Sequence, residues 1–190
     1  MISFFPMRRF LTIALLLAGS ACGFGSDGAS GSGTPEPTPP GEPQVWLDTQ
    51  NAVRHRAQPP PVPALADFTW SSAAAAVAQD WANRCTYQHN AGRGNRGENI
   101  AASAPPGSTI ADTVNAWAGE ASFYDHAKNS CDAGQDCGHY TQIVWRDSVR
   151  AGCARQTCTI NSPFGAQNPD WDFWVCDYEP PGNVVGQRPY

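Results

Sequence analysis

The amino-acid sequence predicts an α/β fold in which helices cover an antiparallel sheet, and three stretches carry that prediction. Ala73 to Asn83 is Ala-rich, with Ala74, Val77, Ala78 and Trp81 three and four apart, the period of one buried helix face. Val114, Trp117, Ala121 and Tyr124 form a second stripe of the same kind. Arg150 to Thr157 and Asp172 to Tyr178 are rich in β-type residues, and Gly165, Asn168 and Pro169 mark a turn between them, the pattern of an antiparallel pair.

Taken in order, the chain opens with Arg8 and Arg9 ahead of Phe10 to Ala18, an apolar run too short to span a bilayer, ending in the small residues Gly19, Ser20 and Ala21. Residues 1–21 read as an export signal. Cys22 follows at once, which resembles a bacterial lipoprotein precursor whose cysteine is acylated after cleavage; Gly19, where such signals usually carry Leu, leaves plain cleavage and release as the alternative. Seven cysteines are present, and an odd count in an exported protein needs an explanation. Cys85, Cys131, Cys137, Cys153, Cys158 and Cys176 lie further on, where an oxidising compartment would pair them, so Cys22 is the odd one and acylation accounts for it. Gly23 to Pro43 is almost entirely Gly, Ser, Ala, Thr, Pro and acids, too polar to offset its ordering entropy, so residues 22–44 are expected to be a flexible linker.

The 190 residues, 41% of them hydrophobic, suffice for one sizeable core, expected over residues 45–190. Net charge is -5, and removing Arg8 and Arg9 with the signal makes it -7. A chain this acidic, with no basic run, argues against nucleic acid and against charge-driven lipid binding; membrane contact is expected through the lipid anchor alone.

Val45 to His55 has a helical period and predicts the first helix. Trp70-Ser71-Ser72 precedes the Ala-rich helix, with Ser71 or Ser72 as its N-cap. Its end delivers Cys85 and then His89 onto a short extended or loop segment. Arg93 to Gly97 is glycine-rich but lacks the Lys-Ser/Thr pair of a phosphate loop, and Glu98-Asn99 closes it. Ser108 or Thr109 caps a third helix, and Glu120 sits on the border of its buried stripe. Gly138 to Ser148, GHYTQIVWRDS, predicts a short helix with Tyr140, Ile143 and Val144 inward and His139 at its head. Trp46, Trp70, Trp81, Trp117 and Trp145 read as core, and His55 and His126 as surface residues.

Four blocks in one order, Tyr87 to Asn90, Gly97 to Ile100, Gly138 to Ser148 and Cys176 to Asn183 (CDYEPPGN), resemble the CAP superfamily of cysteine-rich secretory proteins, insect venom antigens and plant pathogenesis-related proteins of group one. The resemblance runs from about Val45 to Tyr190, with Asp177 where Asn is commoner. It implies a disulfide-stabilised three-layer α-β-α sandwich with a central antiparallel sheet. Six cysteines allow fifteen connectivities; the resemblance implies Cys85 with Cys158, Cys131 with Cys137 and Cys153 with Cys176. The first closes the longest loop and is expected to contribute about 4 to 5 kcal/mol.

The resemblance also implies that His89, Glu98, Glu120 and His139 match the two-His, two-Glu group lining the central cavity of CAP domains. Two imidazoles, His89 and His139, suit zinc or another divalent cation, held weakly because a closed zinc site needs four ligands. The same four residues can instead bond one another and brace the helix of His139, with no turnover. With all six domain cysteines paired, no thiolate remains for cysteine chemistry, and no nucleophile elbow is present. The expectation is an exported, lipid-anchored monomer acting outside the cell as a non-enzymatic binder of a lipid, a sterol or an extracellular protein. The alternative is a metal-dependent or His/Glu general-base hydrolase.

Overall fold

The computed structural model describes residues 41–190. The expected signal, Cys22 and all but the end of the expected linker lie outside the described residues. Helix α1, Glu42–His55, begins three residues before the expected domain start, with Pro43 in its first turn and Gly41 at φ 103° as its N-cap. Glu42, Pro43 and Gln44, which read as linker from composition, are therefore helical. Trp46, Gln50, Val53 and Arg54 form its buried stripe. Strand β1, Thr69–Trp70, leads to α2, Ser72–Ala82, whose N-cap is Ser71, the first of the two serines the sequence offers, accepting a hydrogen bond from Ala74 N.

Strand β2 is Gly97–Ser103. Helix α3, Ile110–Gly119, opens on Thr109 with a full capping box: Asp112 N donates to Thr109 Oγ1 and Thr109 N to the Asp112 carboxylate. It stops at Gly119, and a 3-10 turn, Glu120–Phe123, follows. Val114 and Trp117 are buried as expected, whereas Ala121 lies in the turn and is exposed, and Tyr124 begins β3, Tyr124–Asp125. Strand β3 pairs antiparallel with β4, Ser130–Cys131.

Helix α4 is only Gly138–Ile143, five residues short of the expected end. The Arg54 guanidinium terminates it, Nη1 donating 2.7 and 2.8 Å bonds to the carbonyls of Ile143 and Trp145. Strands β5, Arg150–Cys158, and β6, Trp171–Glu179, form the predicted antiparallel pair, with Gly165 at φ 79° in the connection.

The main sheet has the order β1-β5-β6-β2, antiparallel except for β1, which runs parallel to β5. Alternation along β6 divides the core. Trp171, Phe173 and Val175 face α2 with Ala78, Trp81 and Ala82, whereas Trp174, Cys176 and Tyr178 face α1, α3 and α4 with Trp46, Val114 and Ile143. This is the expected α-β-α sandwich. Gly152 permits the α2 layer to approach, since a Cβ there would collide with the backbone of Ser71, Ala74 and Ala75.

All three disulfides implied by the resemblance are present: Cys85–Cys158, Cys131–Cys137 and Cys153–Cys176. Cys153 and Cys176 sit directly opposite in the β5/β6 register. Trp46, Trp81, Trp117 and Trp145 are core as expected, while Trp70 is half-buried. His126, expected at the surface, is half-buried against the C-terminal residue, its ring 4.5 Å from the Tyr190 ring with Nε2 on the Tyr190 carbonyl. Among the described residues no helix is long and apolar enough to cross a membrane.

Candidate functional site

The four candidate residues come together as two His–Glu pairs. His89, on the loop after α2, brings Nδ1 to 2.7 Å from Glu98 Oε1, and the same oxygen accepts a 2.9 Å bond from Asn90 N. Glu98 lies in β2, its side chain fully enclosed, while the His89 side chain is 57% exposed. His139, second residue of α4, brings Nδ1 to 2.6 Å from Glu120 Oε1. Glu120 Oε2 accepts bonds of 2.9 and 3.1 Å from the backbone N–H of His139 and Tyr140. Cys137, the N-cap of α4, makes no side-chain cap, so a carboxylate delivered from the end of α3 does that work. The His139 ring also stacks on Trp117, centroids 5.8 Å apart and planes at 19°.

In both pairs the carboxylate engages Nδ1, which fixes the tautomer and leaves Nε2 as the ring nitrogen available to a ligand. The pairs are linked through adjacent residues of β2. Glu98 takes His89, and its neighbour Asn99 donates 3.1 Å to the His139 carbonyl and 3.2 Å to Tyr178 Oη. Tyr178 in turn donates to Gln50 Oε1 at 2.7 Å, so a buried polar chain ties α1, β6 and β2 to the backbone of His139. Desolvation raises the Tyr178 phenol well above its ordinary value, keeping it a neutral donor.

The two signature blocks clasp each other. Gln142, fully buried, donates to Ser148 Oγ at 3.0 Å and accepts from Gly182 N at 3.0 Å, and Ser148 donates to the Pro180 carbonyl at 2.8 Å. Asn183 binds the Gly138 carbonyl and accepts from Thr141 Oγ1. A Cβ on Gly97 or Gly182 would strike the Gln142 side chain, so both glycines make room for it. Most of each motif thus holds α4 in place, while His139 at its head presents Nε2.

Several residues of this framework are not visible as such in the sequence. Arg54 is almost fully buried, donates to the carbonyls of Ala66, Ile143 and Trp145, and has its pKa lowered to about 10 by desolvation. Glu179, within the CDYEPPGN block, accepts from Arg96, Arg150 and Ser71 and locks the Arg93–Gly97 loop to β6. Charged residues in polar stretches give no periodic signal, so only the packing reveals them. Among the described residues no three His, Cys, Asp or Glu side chains converge as a metal-holding group, so any metal here would rest on fewer protein ligands.

A disulfide-braced α-β-α sandwich carrying two carboxylate-oriented imidazoles defines a class of extracellular-type domain. The chain belongs to the CAP, or cysteine-rich secretory protein, family, whose pattern matches residues 47–178. It is 42% identical over 152 residues to the basic form of pathogenesis-related protein 1 of Nicotiana tabacum, covering 78% of this chain and 75% of that protein. It is 38% identical over 149 residues to peptidase inhibitor 16 of Mus musculus, covering 78% of this chain but 29% of that much longer protein. Among solved structures it is similar to NaASP2 with Zn2+, at TM-score 0.61 and 25% identity, covering 77% of this chain and 83% of the other. The venom allergen-like protein 4 of Schistosoma mansoni superposes at TM-score 0.61 with 26% identity, covering 77% and 92%.

Proposed function

We propose that this CAP domain is an exported, lipid-tethered binding module, non-enzymatic, that presents His89 and His139 to a ligand and holds a divalent cation such as zinc weakly through their Nε2 atoms. One observation carries the reading: each carboxylate is committed to its histidine and shut away from an incoming water. Glu120 uses both oxygens on His139 and the start of α4, and Glu98 is enclosed with Oε1 doubly bonded. Neither is placed to take a proton from an incoming water, which a general-base hydrolase needs. What the pairs offer is two oriented Nε2 nitrogens with the carboxylates behind them, as in a carboxylate–histidine–metal arrangement. The Zn2+ of the related NaASP2 structure supports the cation, and the secretory family supports action outside the cell. The organic or protein ligand is expected to be a lipid, a sterol or an extracellular protein, and the tether Cys22.

The test is a calorimetric zinc titration of the protein beside a His89→Ala, His139→Ala double variant. Saturable one-to-one binding lost in the variant is the expected result. Zinc binding unchanged by the double substitution would remove the cation from the proposal, and hydrolysis of a peptide or ester substrate lost in that variant would overturn the binding-module reading. Mass analysis of the mature N-terminus tests the tether: an unmodified chain beginning elsewhere than Cys22 would end it.

A further inference from the structure

Outside the two His–Glu pairs, one buried group has no role in the reading above. Asp177 is fully buried in β6, and neither of its carboxylate oxygens has a hydrogen-bond partner. It shares the α2 face with Phe173 and Val175, which are core residues. Its register partners are Gly152 in β5 and Glu98 in β2. Glu98 Oε2 is buried and without a partner as well.

The charged groups acting on Asp177 are Glu98, Arg96, Arg93 and Glu179, and His89 sits behind Glu98. Arg93 donates to the carbonyls of Arg96 and Asn90, and Arg96 to Glu179 and the Arg93 carbonyl, so both guanidiniums are engaged elsewhere. Glu179 lies two residues on, bound also by Arg150. The first turn of α2, packed over Gly152, carries no charged side chain. Two carboxylates therefore stand on one enclosed face with no cation bonded to the second, and both cannot be charged at low cost. Geometry decides which one yields. Glu98 accepts from His89 and from Asn90 N, bonds that favour its anion, while Asp177 accepts none.

We propose that Asp177 is held as a neutral carboxylic acid in the folded protein at acidic pH, and that its ionisation as pH rises puts a second charge beside Glu98 and costs the domain stability, so that this carboxyl's own contribution is acid-favoured. Burial, then the charge of Glu98, push the Asp177 carboxyl up to about 7, against the opposing pull of Arg96 and Arg93 and with a further push from Glu179. The unfolded chain loses this proton near the ordinary 3.8, the folded chain only near about 7. Folding thus takes up a proton in that window. The contribution is complete below the lower value and is lost as pH rises through the upper one, a change of about 10^3-fold in the folding constant. Asn, the commoner residue of the resembling families at this place, would carry no such dependence.

The experiment compares urea unfolding of the whole protein and of Asp177→Asn between about pH 4 and about pH 8. The ratio of wild-type to variant folding constants is expected to fall about 10^3-fold across that range. A ratio independent of pH would overturn the proposal. Should the variant fail to fold, the carboxyl carbons of 13C-aspartate in the wild-type protein give the same answer. One aspartate titrating near neutrality is expected, and all of them titrating in the ordinary acidic range would overturn it.

Discussion

Glu120 is the residue on which the His139 half of the site turns, and replacing it separates two jobs. Its carboxylate accepts from His139 N, Tyr140 N and His139 Nδ1 at 2.6 to 3.1 Å, with the side chain 15% exposed. A hydrogen bond to a charged group contributes about 1.5 to 3 kcal/mol net. The three share one carboxylate and water can reach the gap, so Glu120→Ala is expected to cost about 3 to 5 kcal/mol, beyond the roughly 1 kcal/mol of an ordinary lost cap. Glu120→Gln keeps an acceptor oxygen for the N–H pair but presents an amide to Nδ1. It is expected to lose only about 1 to 2 kcal/mol while weakening any zinc affinity by about tenfold to a hundredfold, the usual effect of removing a carboxylate behind a ligating His. Urea unfolding reads the first quantity and calorimetry the second. An Ala variant within about 1 kcal/mol of wild type would refute the assignment of Glu120 as the cap of α4.

Other substitutions probe the frame around the site. Gly152→Val places side-chain atoms where the α2 backbone lies and is expected to cost at least about 3 kcal/mol or prevent folding, read as a lowered Tm. Arg54→Met keeps the volume but leaves the carbonyls of Ala66, Ile143 and Trp145 without their donor, for an expected loss of about 3 to 5 kcal/mol in urea unfolding. Gln142→Ala unclasps Ser148 and Gly182 and is expected to cost about 2 to 4 kcal/mol, with faster amide exchange in α4. Replacing Cys131 and Cys137 by Ser opens a loop of sequence separation 6 and is expected to cost about 2 kcal/mol, with the added mobility confined to the start of α4.

Much of this protein is local in origin and so is legible in the chain. The α2 stripe and its Ser71 cap, the Thr109 start of α3 and the β5/β6 pair depend on periodicity and turn residues within a few positions of one another. The four candidate residues and the three disulfides followed from motif order, because family motifs record which distant residues meet. What the sequence alone did not hold was anything decided by a non-local partner. Strand β2 read as the close of a loop, because Gly97 to Asn99 become a strand only by pairing with Cys176 to Tyr178 of β6. Helix α4 read as longer, because its end is set by a guanidinium from α1, 89 residues earlier. Gln50, Arg54 and Asp177 are polar residues whose burial no pattern announces; each is enclosed because the face it occupies happens to be covered. A side chain's charge belongs to the sequence, but the cost of that charge depends on what encloses it, and the enclosure of Asp177 beside Glu98 exists only once β2, β5, β6 and α2 have come together.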